Sequence, residues 1–67
     1  MTRADLRLAI SSLQGLRERD RLLVGLRLAA ELSHAEIGAV LGISEHAATV
    51  AAGRAIERLR QRVEAGR

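Results

Sequence analysis

The sequence predicts an all-α fold, a compact four-helix domain that contains a helix-turn-helix. Apolar residues recur at helical spacing along the whole chain, and proline is absent. Two serines that suit helix starts, Ser33 and Ser44, flank a short apolar stretch that ends in Gly42. The 67 residues are enough for one small domain, which we expect to span residues 1–67.

The first two helices are predicted from their apolar periodicity. The first begins at Thr2 or Arg3, runs to about Gln14 and is stopped by Gly15. Its apolar residues share one face: Leu6, Ile10 and Leu13. The second spans residues 17–31. We expect its core-facing residues to be Leu22, Leu23, Leu26 and Ala30, and its solvent-facing residues to be Arg19, Asp20, Arg27 and Glu31.

The third helix is predicted over residues 33–41, with a capping box at its start. In this motif the Ser33 hydroxyl accepts from a backbone N–H, and Glu36 reaches back to the N–H of Ser33. A helix is therefore expected to begin at this serine. We expect it to bury Ile37, Val40 and Leu41.

Two glycines predict a tight turn between the third and fourth helices. Gly42 suits the residue just past a helix end because glycine adopts positive φ without a Cβ clash. Ile43 then fills the angle between the two helices. Gly38 removes a side chain where the helices approach, although it costs roughly 1 kcal/mol of helix propensity relative to Ala. We therefore expect the two helices to cross closely.

The fourth helix is predicted from Ser44 to about Ala65, as a long amphipathic helix. Its inward repeat is expected to be Ala48, Ala52, Ala55, Leu59 and Val63. With those residues in the core, the outward positions of its first three turns are Glu45, His46, Thr49, Val50, Gly53 and Arg54.

Composition limits the classes of function. Without any aromatic residue the core must consist of Leu, Ile, Val and Ala, and a net stability of about 3–5 kcal/mol is typical of this size. No cysteine is present, which excludes a disulfide framework and a thiolate metal site. No apolar run approaches the roughly 20 residues of a membrane helix, and no signal core is visible. We therefore expect a soluble, cytoplasmic protein.

The basic charge is carried by arginine alone. The formal net charge is +3, and all eleven basic residues are arginine, which binds phosphate and guanine bidentately. Codon usage in a GC-rich genome also explains a chain without lysine. The segment from Arg54 to Arg62 holds four arginines and one glutamate, which makes it the best candidate for a polyanion contact. Alternatively, these arginines pair with Glu57 and Glu64 on an ordinary solvated surface.

Three segments carry a family resemblance: LRERDR at 16–21, LSHAEIGAVLGIS at 32–44 and ERLR at 57–60. With them the chain resembles, over about residues 6–63, the fourth conserved region of bacterial sigma factors, especially the extracytoplasmic-function class. The resemblance implies a domain that recognises the upstream promoter element and docks on the β flap of RNA polymerase. Response-regulator output domains share part of the helix-turn-helix segment.

The helix-turn-helix indicates which residues meet DNA. The second helix of the motif lies in the major groove, and its early residues contact base edges. Glu45 suits a cytosine amino group, Thr49 suits donation to a base or contact with a thymine methyl, and Arg54 suits a phosphate or a guanine. The free N–H groups of the preceding helix start suit a phosphate oxygen. The predicted DNA-binding residues are Ser33, His34, Ser44, Glu45, His46, Thr49, Val50, Arg54 and Arg58.

Several of these residues also have a purely structural explanation. Ser33 and Ser44 cap helices, and Glu45 complements a helix dipole, whether or not a ligand binds. His34 and His46 are expected on the solvated surface, and two histidines without cysteine at this spacing do not make a metal site. We expect no metal and no cofactor.

The groove helix departs from the sigma pattern in its first two turns. Sigma factors often carry lysine, arginine or serine there, whereas this chain has AATVAA at 47–52. Recognition would then depend on DNA shape, thymine methyl contacts and backbone amides, with Arg54 and Arg58 supplying affinity. Alternatively, the alanine-rich surface packs against protein, either a second copy in a homodimer or an anti-sigma factor.

We therefore predict a sigma-factor domain whose partners are double-stranded promoter DNA and RNA polymerase, without a membrane contact. The promoter-melting region of sigma factors is lacking, so we expect a fragment of a longer protein or a free-standing regulator. The alternatives are a sigma mimic that acts through protein contacts and a response-regulator output domain. The tail at 55–60 argues against the response regulator, because it looks more like the sigma pattern. An enzyme is not expected, because no nucleophile and base converge in a pocket.

Overall fold

The computed structural model describes all 67 residues as four helices without a β-strand. The helices are α1 (Arg3–Gln14), α2 (Glu18–Val24), α3 (His34–Leu41) and α4 (Glu45–Ala65), and α2 continues into a π-helical turn, Gly25–Ala29. The predicted all-α, four-helix fold is therefore confirmed. The helix-turn-helix consists of α3 and α4.

Helix α4 determines the shape of the molecule. Its 21 residues correspond to about 31 Å at the α-helical rise, and the molecule measures 36 × 18 × 15 Å. Helices α1, α2 and α3 all pack against it. None of the four helices is both long enough and apolar enough to span a bilayer.

Helix α1 has the predicted bounds but a poorly covered apolar face. A capping box starts it: the Thr2 hydroxyl accepts from the N–H of Asp5 at 3.1 Å, and the Asp5 carboxylate accepts from the N–H of Thr2 at 3.1 Å. Leu6 and Ile10 are about half exposed, whereas Ser12 is buried. A large apolar surface on α1 is therefore left in solvent.

Helix α2 is shorter than predicted and changes pitch. The predicted helix is found over residues 18–29, but its hydrogen bonding widens to the π-helical pattern after Val24. Leu23 is buried and Leu26 is partly buried, as expected. Leu22 and Ala30 were predicted in the core but are exposed. Leu23 and Val24 fill the core in place of Leu22, and the wider turn rotates Ala30 off the expected face.

The turn from α2 to α3 contains the one non-glycine residue with positive φ, Glu31 at 56°. The N–H of Leu32 closes the turn by donating to the Leu26 carbonyl at 3.0 Å. The Arg27 side chain adds a second closure, donating to the Leu32 carbonyl at 3.2 Å. The predicted solvent-facing Arg27 is consequently only partly exposed.

Helix α3 buries a narrower face than predicted. Ile37 is fully buried and Leu41 is partly buried, but Val40 is 62% exposed, so its predicted place in the core is wrong. The reason is that Gly38 is the residue that faces α4. With Ile37 and Gly38 turned inward, Val40 lies on the flank of the helix toward solvent.

The turn from α3 to α4 is as tight as predicted. Gly42 ends α3 with φ 71°, in the left-handed region. A Cβ added to Gly38 would lie 2.7 Å from the backbone oxygen of Ile43, and the N–H of Ile43 donates to the Gly38 carbonyl at 2.9 Å. The absent side chain therefore permits the close approach of the two helices.

The core is a seam of small residues along α4. Ala48, Ala52 and Ala55 are completely buried, which confirms the first three positions of the predicted inward repeat, while Leu59 and Val63 are partly buried. The central apolar cluster comprises Leu16, Leu23, Val24, Ile37, Ala48 and Ala55.

Candidate nucleic-acid interface

The two helices of the motif begin with serine caps. The Ser33 hydroxyl accepts from the N–H of Glu36 at 3.1 Å, and the Glu36 carboxylate accepts from the N–H of Ser33 at 2.9 Å. This second hydrogen bond stabilises the carboxylate and holds the pKa of Glu36 below its usual value. The Ser44 hydroxyl accepts from the N–H of Ala47 at 3.0 Å. Each hydroxyl still has its own proton to donate.

The first two turns of α4 present the predicted outward residues. Glu45, His46 and Thr49 are exposed, and Val50 is partly exposed. The Thr49 hydroxyl donates to the backbone carbonyl of Glu45 at 2.9 Å. Its proton is therefore engaged within the helix, and it offers a bound molecule an acceptor oxygen and a methyl group.

The next turn of α4 leaves open space. Gly53 is exposed, and a Cβ added to it would meet no atom within 4 Å. The side chains on either side of it differ in direction, because Ala52 lies in the core and Arg54 is exposed. The middle of α4 therefore combines a fully buried seam with an unobstructed outer face.

Three arginines from two helices converge beside this face. Arg54 and Arg58 of α4 line a shallow cleft of about 150 Å³ together with Arg19 of α2. The one carboxylate in the cleft is that of Asp20. We call Arg19, Arg54 and Arg58 the proximal cluster. Such a convergence of positive charge beside an exposed helix favours a polyanionic ligand.

Asp20 corrects the sequence prediction, which placed it in solvent. Its side chain is only 9% exposed, and both of its carboxylate oxygens accept from Nη1 of Arg58, at 3.0 and 3.1 Å. The Arg58 side chain is 54% exposed, and its Nε and Nη2 donors make no hydrogen bond within the molecule. Asp20 thus orients Arg58 and leaves the Nε and Nη2 donors of Arg58 available to a ligand.

Sequence reasoning did not select Arg19. Its place in the proximal cluster depends on how α2 packs against α4, and no local pattern reports a contact between residues so far apart in the chain. The spacing of Arg54 and Arg58, one helical turn apart, was visible in the sequence.

Farther along α4, one arginine is neutralised on the helix surface. Arg60 donates to Glu57, with Nε 2.9 Å from Oε2, and also pairs with Glu64. The hydrogen bond from Arg60 lowers the pKa of Glu57, and the hydrogen bonds to both carboxylates raise the pKa of Arg60. The alternative pairing with Glu57 and Glu64 is therefore found for Arg60, whereas Arg58 pairs with Asp20 and Arg54 pairs with no carboxylate.

The two histidines lie apart from any acidic or histidine cluster. His34 is the partly exposed first residue of α3, and His46 is exposed in the first turn of α4. No group of three or more His, Asp or Glu side chains is arranged to hold a metal ion.

Comparison with protein families decides which kind of helix-turn-helix this is. The family described as sigma-70, region 4 matches residues 12–61. The chain belongs to this family. Region 4 is a DNA-binding regulatory domain of the sigma factors that act in transcription, and its family is not one of enzymes. Comparisons with curated proteins and with solved structures gave no significant match.

The region 4 match begins in the last turn of α1 and ends within the last third of α4. It therefore includes α3, most of α4, both serine caps and the whole proximal cluster. Most of α1 lies outside the matched residues.

Proposed function

We propose that this region 4 domain recognises the upstream element of bacterial promoters, with α4 in the major groove of double-stranded DNA. The observation that carries the proposal is the proximal cluster beside the exposed first turns of α4, in a chain of this family. In such a complex the exposed turns lie at base edges, and Arg19 and Arg54 contact phosphates on the flank of the groove. Arg58, oriented by Asp20, adds a third phosphate contact.

Base contacts are proposed for the outward residues near the start of α4. Glu45 is suited to accept from a cytosine amino group, and the methyl groups of Thr49 and Val50 are suited to a thymine methyl. His46, the next residue after Glu45, is exposed as well. Few side-chain donors face the bases, so a large part of the specificity would come from DNA shape and deformability.

Phosphate contacts are proposed for both helix starts. The hydroxyl protons of Ser33 and Ser44 are not used in capping, and the positive ends of the two helix dipoles favour an anion. His34 adjoins the first of these sites as the first residue of α3. The motif would then touch the DNA backbone at two points besides the proximal cluster.

Family membership also supports a partner in transcription. We propose that residues 1–67 form one domain of an extracytoplasmic-function sigma factor, working in the bacterial cytoplasm and docking on the β flap of RNA polymerase. The segments LRERDR, LSHAEIGAVLGIS and ERLR support this class. The apolar surface of the first two helices is suited to the polymerase contact, because Leu6, Ile10 and Leu22 are about half exposed there.

Titration of the domain with labelled duplex DNA at about 50 and 200 mM salt tests DNA recognition. Wild type is expected to bind more weakly at the higher salt. Arg54→Gln and Arg19→Gln are each expected to reduce the slope of log K against log salt by about 0.9 per lost phosphate contact. Arg7→Gln removes the same charge from the exposed surface of α1 and is expected to leave the slope unchanged.

Absence of binding at low salt would contradict the DNA assignment. An equal loss of affinity in Arg7→Gln would also contradict the interface, because binding would then follow net charge alone. Arg58 is left out of this comparison because its pairing with Asp20 couples DNA contact to folding.

A protein-contact module is the second candidate, and the composition of α4 favours it. Ala47 is exposed and Ala51 is partly exposed, and neither offers a hydrogen-bond donor in its side chain. Small residues permit close helix packing, so this surface suits a second copy of the chain or an anti-sigma factor. Sedimentation equilibrium with wild type and Ala47→Glu tests the homodimer. A monomeric wild type would contradict it.

A further inference from the structure

A second group of arginines surrounds a cleft near the C-terminal end of α4. The cleft has a volume of about 420 Å³ and lies between the α1–α2 turn and α4. Its cationic lining is Arg17 from the turn, with Arg58 and Arg62 from α4. Gln61 adds an amide, and Leu16 adds an apolar wall.

The positive charge of this cleft is poorly compensated. The single carboxylate in its lining belongs to Asp20, and both oxygens of that carboxylate accept from Arg58. The side chains of Arg17 and Arg62 make no hydrogen bond and no ion pair within the molecule, whereas Arg60 nearby holds two carboxylates. Two guanidinium groups are thus free to bind an anion.

One of these groups lies against the backbone of the α1–α2 turn. The guanidinium of Arg62 lies so close to Gly15 that a Cβ at this position would overlap it. The glycine in the α1–α2 turn therefore makes room for Arg62.

The cleft continues along α1. Arg62 and Ala65 also line a neighbouring cleft of about 320 Å³, whose other walls include Leu8 and the hydroxyl-bearing Ser11 and Ser12. We call the two clefts together the distal groove. The groove combines guanidinium, apolar and hydroxyl groups, and this mixed lining suits a stretch of polypeptide better than a single phosphate.

The distal groove is also far from the start of the groove helix. Arg62 follows Ser44 by 18 residues, which is about 27 Å along α4. The major groove is about 8.5 Å deep, so a helix that inserts its first turns leaves Arg62 well away from the bases.

We propose that the distal groove binds an acidic segment of a partner protein. Carboxylates of the segment pair with Arg17 and Arg62 through forked hydrogen bonds, and an apolar side chain rests against Leu16. Arg58 lines both clefts. The inference does not depend on promoter recognition, because the two arginines assigned to the segment, Arg17 and Arg62, lie outside the proximal cluster.

NMR titration of the ¹⁵N-labelled domain tests the proposal. The probe is a short synthetic peptide of alternating glutamate and leucine, and its matched control carries glutamine in place of glutamate. The acidic peptide is expected to shift the side-chain Nε–H signals of Arg17 and Arg62 and the backbone signal of Leu16. The Arg17→Gln/Arg62→Gln pair is expected to bind about tenfold more weakly. The Arg3→Gln/Arg7→Gln pair, with equal charge loss on α1, is expected to change affinity less than about twofold.

Circular dichroism identifies any variant that fails to fold. If the glutamine pair does not fold, the Arg17→Lys/Arg62→Lys pair, which keeps the charge, replaces it and is expected to lose part of the affinity for the acidic peptide. Equal binding of the glutamine peptide would overturn the proposal, and so would an equal loss in the Arg3/Arg7 control.

Duplex DNA gives the third comparison. The Arg17→Gln/Arg62→Gln pair should bind DNA within about twofold of wild type. A loss as large as that of Arg54→Gln would assign the distal groove to DNA phosphates instead.

Discussion

The two turns that flank α3 use the same backbone conformation with different residues. The turn after α3 places Gly42 in the left-handed region at φ 71°, and the turn after α2 places Glu31 there at φ 56°. Glycine adopts this conformation freely, whereas a residue with a Cβ loses roughly 1–2 kcal/mol in it. The left-handed conformation is therefore one that the residue itself favours at Gly42. At Glu31 it has to be stabilised by the surrounding structure.

The surroundings of the two turns explain the difference. After α3, the backbone at Ile43 presses on Gly38, and the turn has little freedom. After α2, the chain first widens into a π-helical turn, and the Arg27 side chain then ties the carbonyl of Leu32. Tertiary packing and a side-chain hydrogen bond hold Glu31 in a conformation that its own sequence does not favour.

Gly38→Ala is expected to have the largest effect, because it attacks the close crossing after α3. The new Cβ would lie 2.7 Å from the Ile43 oxygen, a backbone atom that moves only if the helices separate. We expect a loss of about 1–3 kcal/mol in the free energy of unfolding, despite the better helix propensity of alanine. Urea denaturation followed by circular dichroism measures it. An unchanged stability would show that the crossing is looser than the structure indicates.

Gly42→Ala tests the turn itself. The added Cβ meets no neighbour, so the expected loss of about 1–2 kcal/mol comes from the positive φ alone. Gly53→Ala is the matched control, since it also meets no neighbour but lies within a helix. That control is expected to gain up to about 1 kcal/mol of stability. Opposite signs for the two variants would establish the conformational origin of the effect.

Glu31→Gly is expected to act in the opposite direction from Gly42→Ala. Glycine relieves the left-handed conformation of the α2–α3 turn, and we expect the free energy of unfolding to rise by about 0.5–1 kcal/mol. Glu31→Ala keeps the Cβ and serves as the control. If both variants change stability equally, the loss of the glutamate charge, and not the backbone, is responsible.

The smallest expected effect is a pH dependence that separates the two helix starts. Ser33 lowers the pKa of Glu36 in the folded state, so the stabilisation is present above the unfolded value of about 4.3. It is lost as the pH falls through the lower folded pKa. The start of α4 has Ala47 at the equivalent position and no such carboxylate. The free energy of unfolding should therefore depend less on pH in the acid range in Glu36→Gln than in wild type. An unchanged pH dependence would show that the capping box is not the source of the acid sensitivity.

The features that the sequence predicts correctly are those that depend on interactions between residues close together in the chain. The capping box at Ser33, the positive φ of Gly42 and the inward spacing of Ala48 and Ala52 all follow from local chemistry or helical period. The close crossing at Gly38 was also predictable, because a glycine inside a short helix needs a packing reason.

The remaining features depend on contacts between distant residues. Asp20 is paired in the fold with Arg58, which lies 38 positions later in the chain. No local pattern in the sequence marks the π-helical turn Gly25–Ala29. The packing of α2 against α4 brings Arg19 into the proximal cluster. The base-contacting roles of Glu45 and Thr49 stay predictions, since a free domain does not display them.

The unobstructed outer face of α4 has an evolutionary consequence. Glu45, His46, Thr49 and Gly53 point away from the alanine seam that holds the helix in the fold. A lineage is thus free to change the side chains that would read a promoter while the scaffold beneath them stays intact. Single substitutions at these exposed positions are therefore expected to change what α4 contacts at little cost in folding stability.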